Sequence, residues 1–374
     1  MVSESPADAG RGPAPVVSVI VPARNEEAAL GACLQSLVSQ SGVEHEIIVV
    51  DDASTDRTRE IARSFAGVRV VEAEALPAGW TGKCNAVACG ARLARGSWLL
   101  FTDADTVHRP GSLAASLQEA QQYQAALLSY SPRQEVRGFW EKAVMPVVFA
   151  ELTRVYRTED INDPASPAAA ANGQYLLITR EAYDAVGGHA GVIHSLLEDV
   201  ALARAVKRSG RRMRFRFGGD RVHARMYRNF AQLREGWTKN LALLFESPVR
   251  LATVRGAEFV VITGGAVGAL TAATAGHHGV AAVAGTAAAA VYILFLRRIR
   301  RAHFGWDANL LALLGLPVFV SLLLASRLSH KRGSVTWKGR SYGASSGAAS
   351  PDKAGKGSGF PASEQNRRTA PERV

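Results

Sequence analysis

Two apolar runs that stand almost next to each other constrain this chain more than any other feature. Residues 259–276 and 279–296 contain no Asp, Glu, Lys or Arg, and the turn Gly-His-His-Gly joins them. As a helix rising ~1.5 Å per residue, each run is about long enough to cross the ~30 Å core of a bilayer. Buried helices of a soluble domain are the alternative, but two adjacent uncharged runs of this length favour a membrane helical hairpin.

Basic residues flank the predicted hairpin and orient it. Arg250 and Arg255 precede the first run, and four arginines follow the second within residues 297–301. Because positively charged flanks stay on the cytoplasmic side, both ends of the hairpin are expected inside, with His277 and His278 outside. The protein is therefore expected to be a multi-pass protein of the cell membrane, with its remaining domain in the cytoplasm.

A third apolar run, residues 310–326, carries Pro317 near its middle and is followed by further basic residues. A full crossing would export that basic segment. A proline-broken re-entrant or interfacial segment keeps both ends inside, and we favour it over a third span. Residues 334–374, rich in Gly, Ser, Ala and Lys, are expected to be mostly disordered, and so is the tail formed by residues 1–14.

The first part of the chain follows a different pattern, in which short apolar β-rich runs alternate with helix-like segments. The runs begin at Val16, Glu46, Val68, Ser97 and Ala126. Continuous apolar strands separated by helices indicate an α/β domain with a mostly parallel sheet and helices on both faces. We expect this domain to occupy residues 15–230, an interfacial amphipathic segment residues 231–256, and the membrane region residues 257–333.

The charge and cysteine content restrict the partners. Lys and Arg outnumber Asp and Glu by a net 11 charges, although 47% of the residues are hydrophobic. A basic protein can bind nucleic acid, anionic lipid or a phosphorylated substrate. Nucleic acid is not expected here, because no helix-turn-helix, zinc-finger or RNA-binding signature is present. Cys33, Cys84 and Cys89 lack metal-ligand spacing and fit a reducing compartment.

Acidic pairs stand where two of the predicted strands end. Asp51 and Asp52 end the second run, and Asp103 and Asp105 end the fourth. Ligands of open α/β sheets bind beyond the carboxyl ends of the strands, so these acids are candidate site residues, with helix capping as the alternative. Mg²⁺ and Mn²⁺ prefer carboxylate oxygens and usually share them with a substrate diphosphate. The Asp103-Ala-Asp105 pattern therefore predicts a divalent metal site.

Five motifs together resemble family 2 glycosyltransferases, which have the GT-A fold. They are SVIVPARNEE, IIVVDDASTDRT, GWTGKCNA, LLFTDADT and LLEDVALA, in the order and spacing of that family over roughly residues 16–240. The resemblance implies an inverting transfer from a nucleotide sugar with a divalent metal, Mg²⁺ or Mn²⁺.

The resemblance also implies roles for individual residues. The loop beside the nucleotide would contain Pro22, Ala23, Arg24, Asn25 and Glu26. Asp51 and Asp52 would contact the base and the ribose, and Lys83 would lie near the diphosphate. Asp103 and Asp105 match the metal-binding pair, and Asp103 also lies beside the donor.

Glu198 and Asp199 match the Glu-Asp motif that supplies the general base in this family. Inversion by single displacement needs a carboxylate on the acceptor side to take the hydroxyl proton. We expect Asp199 to be the base and Glu198 to be an orienting neighbour. The alternative is that both acids only stabilise the dipole of the helix that begins there.

Other positions match less specific segments of the family. Two short stretches of this chain resemble the family segments that line the donor-sugar and acceptor pocket. They contain Asn172, Gly173 and Gln174 in the first stretch, and Gly188 and His189 in the second. His223 is a candidate metal ligand, with a structural histidine as the alternative. Trp237 is a candidate substrate contact or an interfacial tryptophan, and the altered Gln-x-x-Arg-Trp pattern leaves the role of Arg234 in doubt.

The membrane hairpin favours a lipid acceptor, because an enzyme for soluble acceptors needs no anchor. The segments GWTGK, NGQYLLI, VGGH, LEDVALA, GWTKN and WKGRSY resemble bacterial enzymes that glycosylate carotenoids, or their hopanoid-associated relatives. We therefore expect transfer of glucose from UDP-glucose to a hydroxyl or carboxyl group of a carotenoid or other isoprenoid. The alternatives are a ceramide, diacylglycerol or polyprenyl phosphate acceptor, a polysaccharide synthase, and a catalytically silent nucleotide-sugar-binding scaffold.

Overall fold

The computed structural model describes residues 15–342 as an α/β domain, three long helices and a short β-hairpin. The strands are β1 (Val17–Ala23), β2 (His45–Asp51), β3 (Val68–Glu72), β4 (Trp98–Phe101), β5 (Thr106–His108), β6 (Leu127–Ser131), β7 (Arg133–Gln134), β8 (Leu176–Thr179), β9 (Met213–Phe217), β10 (Val222–Ala224), β11 (Val335–Trp337) and β12 (Arg340–Tyr342). The helices are α1 (Leu30–Val38), α2 (Thr58–Arg63), α3 (Gly82–Leu93), α4 (Ser112–Gln122), α5 (Phe139–Val155), α6 (Thr158–Asn162), α7 (Arg180–Ala185), α8 (Glu198–Arg208), α9 (Phe230–Leu244), α10 (Pro248–Thr274), α11 (His278–Ile299) and α12 (Trp306–Arg332). The expected disordered tails at residues 1–14 and 343–374 lie outside the described residues.

A seven-stranded sheet in the order β3-β2-β1-β4-β8-β6-β9 forms the centre of the domain. β1 pairs in parallel with β2 and β4, whereas β8 runs antiparallel between β4 and β6. Alternate residues of one strand enter two separate cores, as Val19 and Ile20 do, because helices cover both faces of the sheet. This burial on both faces explains the continuous apolar runs, all five of which are strands. The predicted mostly parallel α/β domain is confirmed.

By length and composition, α10, α11 and α12 are each able to cross a membrane. α10 and α11 form the predicted hairpin and expose apolar side chains along most of their length, among them Val260, Leu270, Val280 and Val283. Apolar surface of this extent on two long helices is suited to lipid rather than water.

α12 differs from the other two long helices because it packs along the α/β domain. It contacts α5, α9 and α10 and buries Leu316, Phe319 and Leu323. At Gly315 the two backbones approach so closely that a Cβ would overlap the carbonyl oxygen of Ala143 in α5. The helix continues through Pro317, so the break expected at that proline is wrong. Packing along its length offsets the ~3 kcal/mol that an interior proline costs.

Both ends of α12 are attached to elements that also build the domain. In its first turn, Asp307 forms a 2.7 Å ion pair with Lys142 of α5. In its last turn, the His330 ring contacts the carbonyl oxygen of Lys239 in α9 at 2.7 Å. A helix of this length spans about 40 Å. The helix therefore lies against the domain from end to end.

A buried ionic cluster joins the domain to the membrane hairpin. The Glu151 carboxylate of α5 is fully buried and contacts Arg255 of α10 at 3.0 Å and Arg298 of α11 at 3.2 Å. Glu258 of α10 contacts the same two arginines at 2.9 and 2.7 Å. Arg154 of α5 also contacts Glu151, at 3.1 Å, so three guanidinium groups surround two carboxylates where α5, α10 and α11 meet.

Residues 335–342 form a structured hairpin, although the composition of residues 334–374 predicts a mostly disordered tail. Trp337 and Arg340 face each other across a two-residue loop, Lys338-Gly339. Both loop residues have positive φ angles, +45° and +75°. This is the geometry of a type I′ turn, whose twist matches that of paired β-strands. The difference from the expectation arises because contacts with distant residues, described below, hold the hairpin in place.

Candidate active site

A cavity of about 880 Å³ lies at the carboxyl ends of β1, β2 and β4, the position expected for the ligand of an open α/β sheet. The first turns of α3 and α8, parts of α5 and α9, and the β11–β12 hairpin complete its walls. The predicted site residues that line it are Pro22, Ala23, Arg24, Asn25, Glu26, Asp52, Lys83, Asp103, Asp105, Asn172, Gly173, Gln174, Glu198, Asp199 and Trp237.

Asp51 does not reach the cavity, so its expected contact with the base or ribose is wrong. Its side chain is fully buried and accepts hydrogen bonds of 3.1 and 2.7 Å from Arg59. Successive residues at the end of a strand point to opposite sides, and only Asp52 points into the cavity. Asp51 therefore fixes α2 to the sheet, and Asp52 is the acid available to a ligand.

Lys83 connects two of the predicted acids. Its ammonium group lies 2.8 Å from Asp103 Oδ1 and 3.0 Å from Glu198 Oε1. Although burial lowers the pKa of Lys83, the charges of Asp103, Glu198 and Asp199 raise it well above its ordinary value. The lysine therefore stays protonated, and its two ion pairs hold the end of β4 close to the start of α8.

Asp103 and Asp105 fit a divalent metal that takes part of its coordination from the substrate. Burial, followed by the charges of Asp103 and Glu26, raises the pKa of Asp105 to about 7, and the nearby Lys338 and Lys83 offset only part of this rise. Within residues 15–342, no three His, Cys, Asp or Glu side chains form a complete metal cluster. Mg²⁺ is commonly held by one or two carboxylates together with water and phosphate oxygens, which matches the donors present.

His223 is not brought to the two aspartates, so its expected role as a metal ligand is wrong. It lies in β10, where Val222 and Ala224 point into the buried side and His223 points the other way. Its ring contacts Arg109 at 3.0 Å and lies 3.5 Å from Glu135. The pairing of β10 with β5 and β7 sets this direction, which the sequence alone did not reveal.

Asp199 and Glu198 stand side by side with pKa values shifted in opposite directions. Asp199 accepts hydrogen bonds from the N–H groups of Gly173 at 2.7 Å and Val200 at 2.8 Å. Burial and the charge of Glu198 raise the pKa of Asp199 to about 6. Burial also acts to raise the pKa of Glu198, but Lys83 and Lys239 outweigh it and lower that pKa. A carboxyl with a pKa near neutrality is the better proton acceptor of the two.

The Asn172-Gly173-Gln174 segment supports the acids. Gln174 is buried, and its amide nitrogen lies 3.5 Å from Asp105 Oδ1, a marginal hydrogen bond. At Gly173 a Cβ would come within 2.8 Å of the Lys83 nitrogen. The glycine thus allows the lysine to pass between this segment and the strand ends.

Gly188 and His189 lie behind the cavity and do not line it, so their expected place in the sugar pocket is wrong. His189 is buried, contacts the hydroxyl of Tyr183 at 3.0 Å and packs edge-on against Phe101. Burial lowers the pKa of His189 to about 4, which keeps the ring neutral. His189 lines a small void of about 10 Å³ whose other walls include Lys83 and Asp199.

Trp237 lines the cavity and is almost completely buried, whereas Arg234 is exposed and does not line it. The indole packs edge-on against Phe149 and Tyr227. Within the described part of the chain, Trp237 Nε1 and Asn240 Oδ1 are buried without a hydrogen-bond partner, and both residues line the cavity. An indole N–H and an amide oxygen are therefore available to a bound molecule.

The cavity wall also contains polar residues that were not predicted, among them Glu235, Lys239, Lys338 and Arg340. Burial lowers the pKa of Lys239, although Glu198 and Asp199 act in the opposite direction. The two lysines and the arginine add positive charge to a wall that contains six predicted carboxylates. The motif WKGRSY was noted in the sequence, but nothing in its surroundings indicated that it returns to the end of β1.

One part of the cavity wall is apolar, and it belongs to the elements that continue into the membrane helices. Its members are Phe149 and Leu152 of α5, Tyr156 directly after that helix, Leu244 of α9, Phe215 and Phe217 of β9, and Ala302 from the linker between α11 and α12. The same cavity therefore joins a charged end at the sheet to an apolar end beside the membrane hairpin.

Comparison with known proteins agrees with this geometry. The sequence pattern of "Glycosyl transferase family 2" matches residues 18–187. A Staphylococcus aureus (strain USA300) protein named 4,4'-diaponeurosporenoate glycosyltransferase is 32% identical over 231 residues, which are 60% of this chain and 60% of that relative. This chain thus spans less than two thirds of the length of that relative.

Among solved structures, the mannosyltransferase PcManGT from Pyrobaculum calidifontis, in complex with GDP-Man and Mn²⁺, aligns with a TM-score of 0.50. The alignment covers 84% of this chain and 87% of that one at 20% identity, which supports the fold alone. The matched family pattern covers β1, β2 and β4 and the acids that follow them. Residues 18–187, the larger part of this α/β domain, therefore carry the sequence pattern of glycosyltransferase family 2.

Proposed function

We propose that the protein is a metal-dependent inverting glycosyltransferase whose donor is a nucleotide diphosphate sugar, expected to be UDP-glucose. The acceptor would be a hydroxyl or carboxyl group of a membrane lipid, a carotenoid or other isoprenoid. The observation that carries this proposal is a single cavity in which Asp103, Lys83 and Asp199 meet a wall of apolar side chains from α5 and α9.

The donor end of the cavity is suited to a diphosphate. Asp103 and Asp105 would hold Mg²⁺ or Mn²⁺, which when bound neutralises the charge that develops on the leaving diphosphate. Lys83 is fixed beside Asp103 and adds a permanent positive charge at the same place. Asp52, at the end of β2, supplies a carboxylate that can accept hydrogen bonds from ribose hydroxyls or a base N–H.

Asp199 is the residue that we expect to take the acceptor proton. Two backbone N–H groups fix its carboxylate, and its pKa of about 6 leaves it deprotonated but basic near neutral pH. Glu198, held by Lys83, contributes negative charge that raises the pKa of Asp199. In this arrangement Glu198 positions and tunes the base, and Asp199 contacts the reacting hydroxyl or carboxyl group.

The apolar end of the cavity favours a lipid acceptor. Phe149 and Leu152 of α5 and Leu244 of α9 line it, and these two helices pack on α12. Trp237 Nε1 and Asn240 Oδ1 offer polar contacts among the apolar groups. A relative named for the glycosylation of 4,4'-diaponeurosporenoate supports a carotenoid as the acceptor.

The membrane arrangement follows from the same elements. The α10–α11 hairpin would cross the bilayer, with its arginine-rich flanks and the α/β domain on the cytoplasmic side. The ion pair of Asp307 and the contact of His330 attach both ends of α12 to elements of that domain. α12 would therefore lie along the membrane surface and not cross it, in agreement with the interfacial alternative considered above.

The test is a transfer assay with the full chain in lipid nanodiscs. Radiolabelled UDP-glucose and Mg²⁺ are combined with a carotenoid carboxylic acid, a hydroxylated carotenoid, ceramide or diacylglycerol. We expect a glucosylated carotenoid whose anomeric configuration, read by NMR, is opposite to that of the donor. Transfer only to ceramide or diacylglycerol would contradict the acceptor, and a retained configuration would contradict the mechanism. If neither UDP-glucose nor any other nucleotide sugar reacts with these acceptors, a silent scaffold is favoured.

A further inference from the structure

The β11–β12 hairpin lies across the donor end of the cavity. At its tip, Lys338 contacts the carboxylate of Glu26 and the carbonyl oxygen of Arg24, the latter at 2.9 Å. Its backbone N–H donates to Glu235 of α9 at 3.1 Å. In the next strand, the guanidinium group of Arg340 donates to both carboxylate oxygens of Asp52. The hairpin thus joins residues separated by more than 280 positions in the chain.

These contacts occupy the groups that a nucleotide would need. Both oxygens of Asp52 accept from Arg340, so the guanidinium group competes with a base or ribose for this carboxylate. The guanidinium group also fills the space in front of Gly82, at the start of α3, where a Cβ would overlap it. We therefore expect a nucleotide that uses Asp52 to compete with Arg340 for this carboxylate and for the space at Gly82.

The displaced side chains match the remaining part of the donor. A guanidinium fork pairs with a phosphate in the same two-point geometry that it uses with a carboxylate. Lys338 also lines the same cavity as the predicted metal pair, Asp103 and Asp105. Lys338 has a positive φ angle of +45°, an uncommon conformation for a residue other than glycine. Its ionic contacts offset this strain at the tip.

We propose that the β11–β12 hairpin is a lid on the donor pocket, in which Arg340 and Lys338 exchange their carboxylate partners for the diphosphate of the donor. In the empty pocket, Asp52 and Glu26 hold the lid. When the donor binds, Asp52 is released to contact the nucleoside, and the lid closes over the phosphates. This inference rests on the nucleotide-sugar donor proposed above and adds two donor-binding residues to it.

Nucleotide binding to the full chain in nanodiscs can be measured by calorimetry with Mg²⁺. Comparing diphosphates with nucleosides tests separately whether Arg340 binds the diphosphate and whether Asp52 binds the nucleoside. The ligands are UDP and uridine, with GDP and guanosine in parallel. Arg340→Ala should weaken diphosphate binding by about 10- to 100-fold, because a charge-assisted two-point contact is lost. Nucleoside binding should be unchanged or tighter, because Asp52 no longer has to leave its partner. The control is Arg332→Ala, an exposed arginine in the last turn of α12, which should change neither affinity.

The possible outcomes distinguish a failure of the lid proposal from a failure of the proposed function. If Arg340→Ala binds the diphosphate as tightly as the unmodified protein or more tightly, Arg340 only blocks the pocket and the exchange is wrong. Equal weakening of nucleoside and diphosphate would mean that the residue supports the shape of the pocket. If the unmodified protein binds neither UDP nor GDP, the proposed function fails, and the lid fails with it.

Hydrogen exchange of the hairpin amides gives a second readout that does not depend on activity. In Asp52→Asn, the hairpin should exchange faster than in the unmodified protein, because the pair with Arg340 is weakened. Adding UDP with Mg²⁺ should restore protection of residues 335–342, since the phosphates then hold the lid. Faster exchange that UDP does not slow would show that only the carboxylates hold the hairpin, and would overturn the proposal.

Discussion

The carboxylate of Asp199 accepts a 2.7 Å hydrogen bond from the backbone N–H of Gly173. Its second oxygen accepts from Val200, so the backbone orients the side chain from two sides. We expect Asp199→Asn to lower the transfer rate by roughly 10²–10⁴-fold while donor affinity is kept, because a general base is lost and the nucleotide site is not touched. Single-turnover rates beside donor-binding measurements test this expectation.

Glu198→Gln is the matched variant for that experiment. It should reduce the rate less, because Glu198 acts through the pKa of its neighbour. A larger loss in Glu198→Gln would reverse the two assignments. Loss of donor binding in Asp199→Asn would place Asp199 in the nucleotide pocket.

The pH dependence of the transfer rate should reflect the ionisation of Asp199. Burial and Glu198 raise the pKa of Asp199 to about 6, and a base works only when it is deprotonated. With donor and metal saturating, the single-turnover rate should rise up to tenfold per pH unit below about pH 6 and level off above it. Asp199→Asn should remove this slope. A slope that persists in Asp199→Asn would assign the titration to another group.

Asp105→Asn should abolish metal-dependent transfer, because a neutral amide is a poor replacement for an anionic ligand of Mg²⁺ or Mn²⁺. The thermal unfolding midpoint should not fall, since the variant removes a carboxyl that is poorly stabilised without metal. The control is Asp160→Asn, an exposed acid of α6. Retention of most activity with metal still required would exclude Asp105 from the site.

Cysteine labelling in intact cells tests the membrane arrangement. Cys33, Cys84 and Cys89 are buried, so they need not be removed first. A cysteine introduced by His277→Cys should react with an impermeant maleimide from outside, and Arg300→Cys and Ser345→Cys should react only after permeabilisation. Outside labelling of Ser345→Cys would mean that α12 crosses the membrane.

The close approach of α12 to α5 at Gly315 can be tested by steric substitution. Gly315→Leu should destabilise the protein by about 1–3 kcal/mol, the usual range for overpacking a tight contact. Transfer should fall as well, because α5 lines the cavity. Gly268→Leu of α10, where no atom lies near the new Cβ, is the control and should change neither property. Equal thermal stability of both variants would show that α12 does not depend on this contact.

The sheet and the acids at its edge could be predicted because they depend on local patterns. Apolar runs define the strands, and a residue directly after a strand must lie at the sheet edge, as Asp52 and Asp103 do. The direction of a side chain was harder to predict. Asp51 and Asp52 are neighbours, yet only one points into the cavity, and the direction of His223 depends on strands that are distant in sequence.

The contribution of the C-terminal hairpin could not be predicted from composition. Polar, glycine-containing segments such as Lys338-Gly339-Arg340 resemble linkers when the sequence is read locally. Their order here depends on Glu26 and Asp52, which lie near the other end of the chain. Pro317 and the basic flank did distinguish the third apolar run, but α12 matches α10 and α11 in length and composition, and its packing against α5 depends on distant residues.

The ionic cluster around Glu151 means that the membrane helices cannot be treated as a removable tether. A chain cut before α10 would lose Arg255 and Arg298, leaving the Glu151 carboxylate with Arg154 of α5 in place of three arginines. Loss of one partner of a buried ion pair typically destabilises a protein by about 3–5 kcal/mol. The same cut would uncover the face of α5 that α12 protects. Production of this protein should therefore begin from the intact chain in detergent or lipid, because a water-soluble fragment would lack part of its own core.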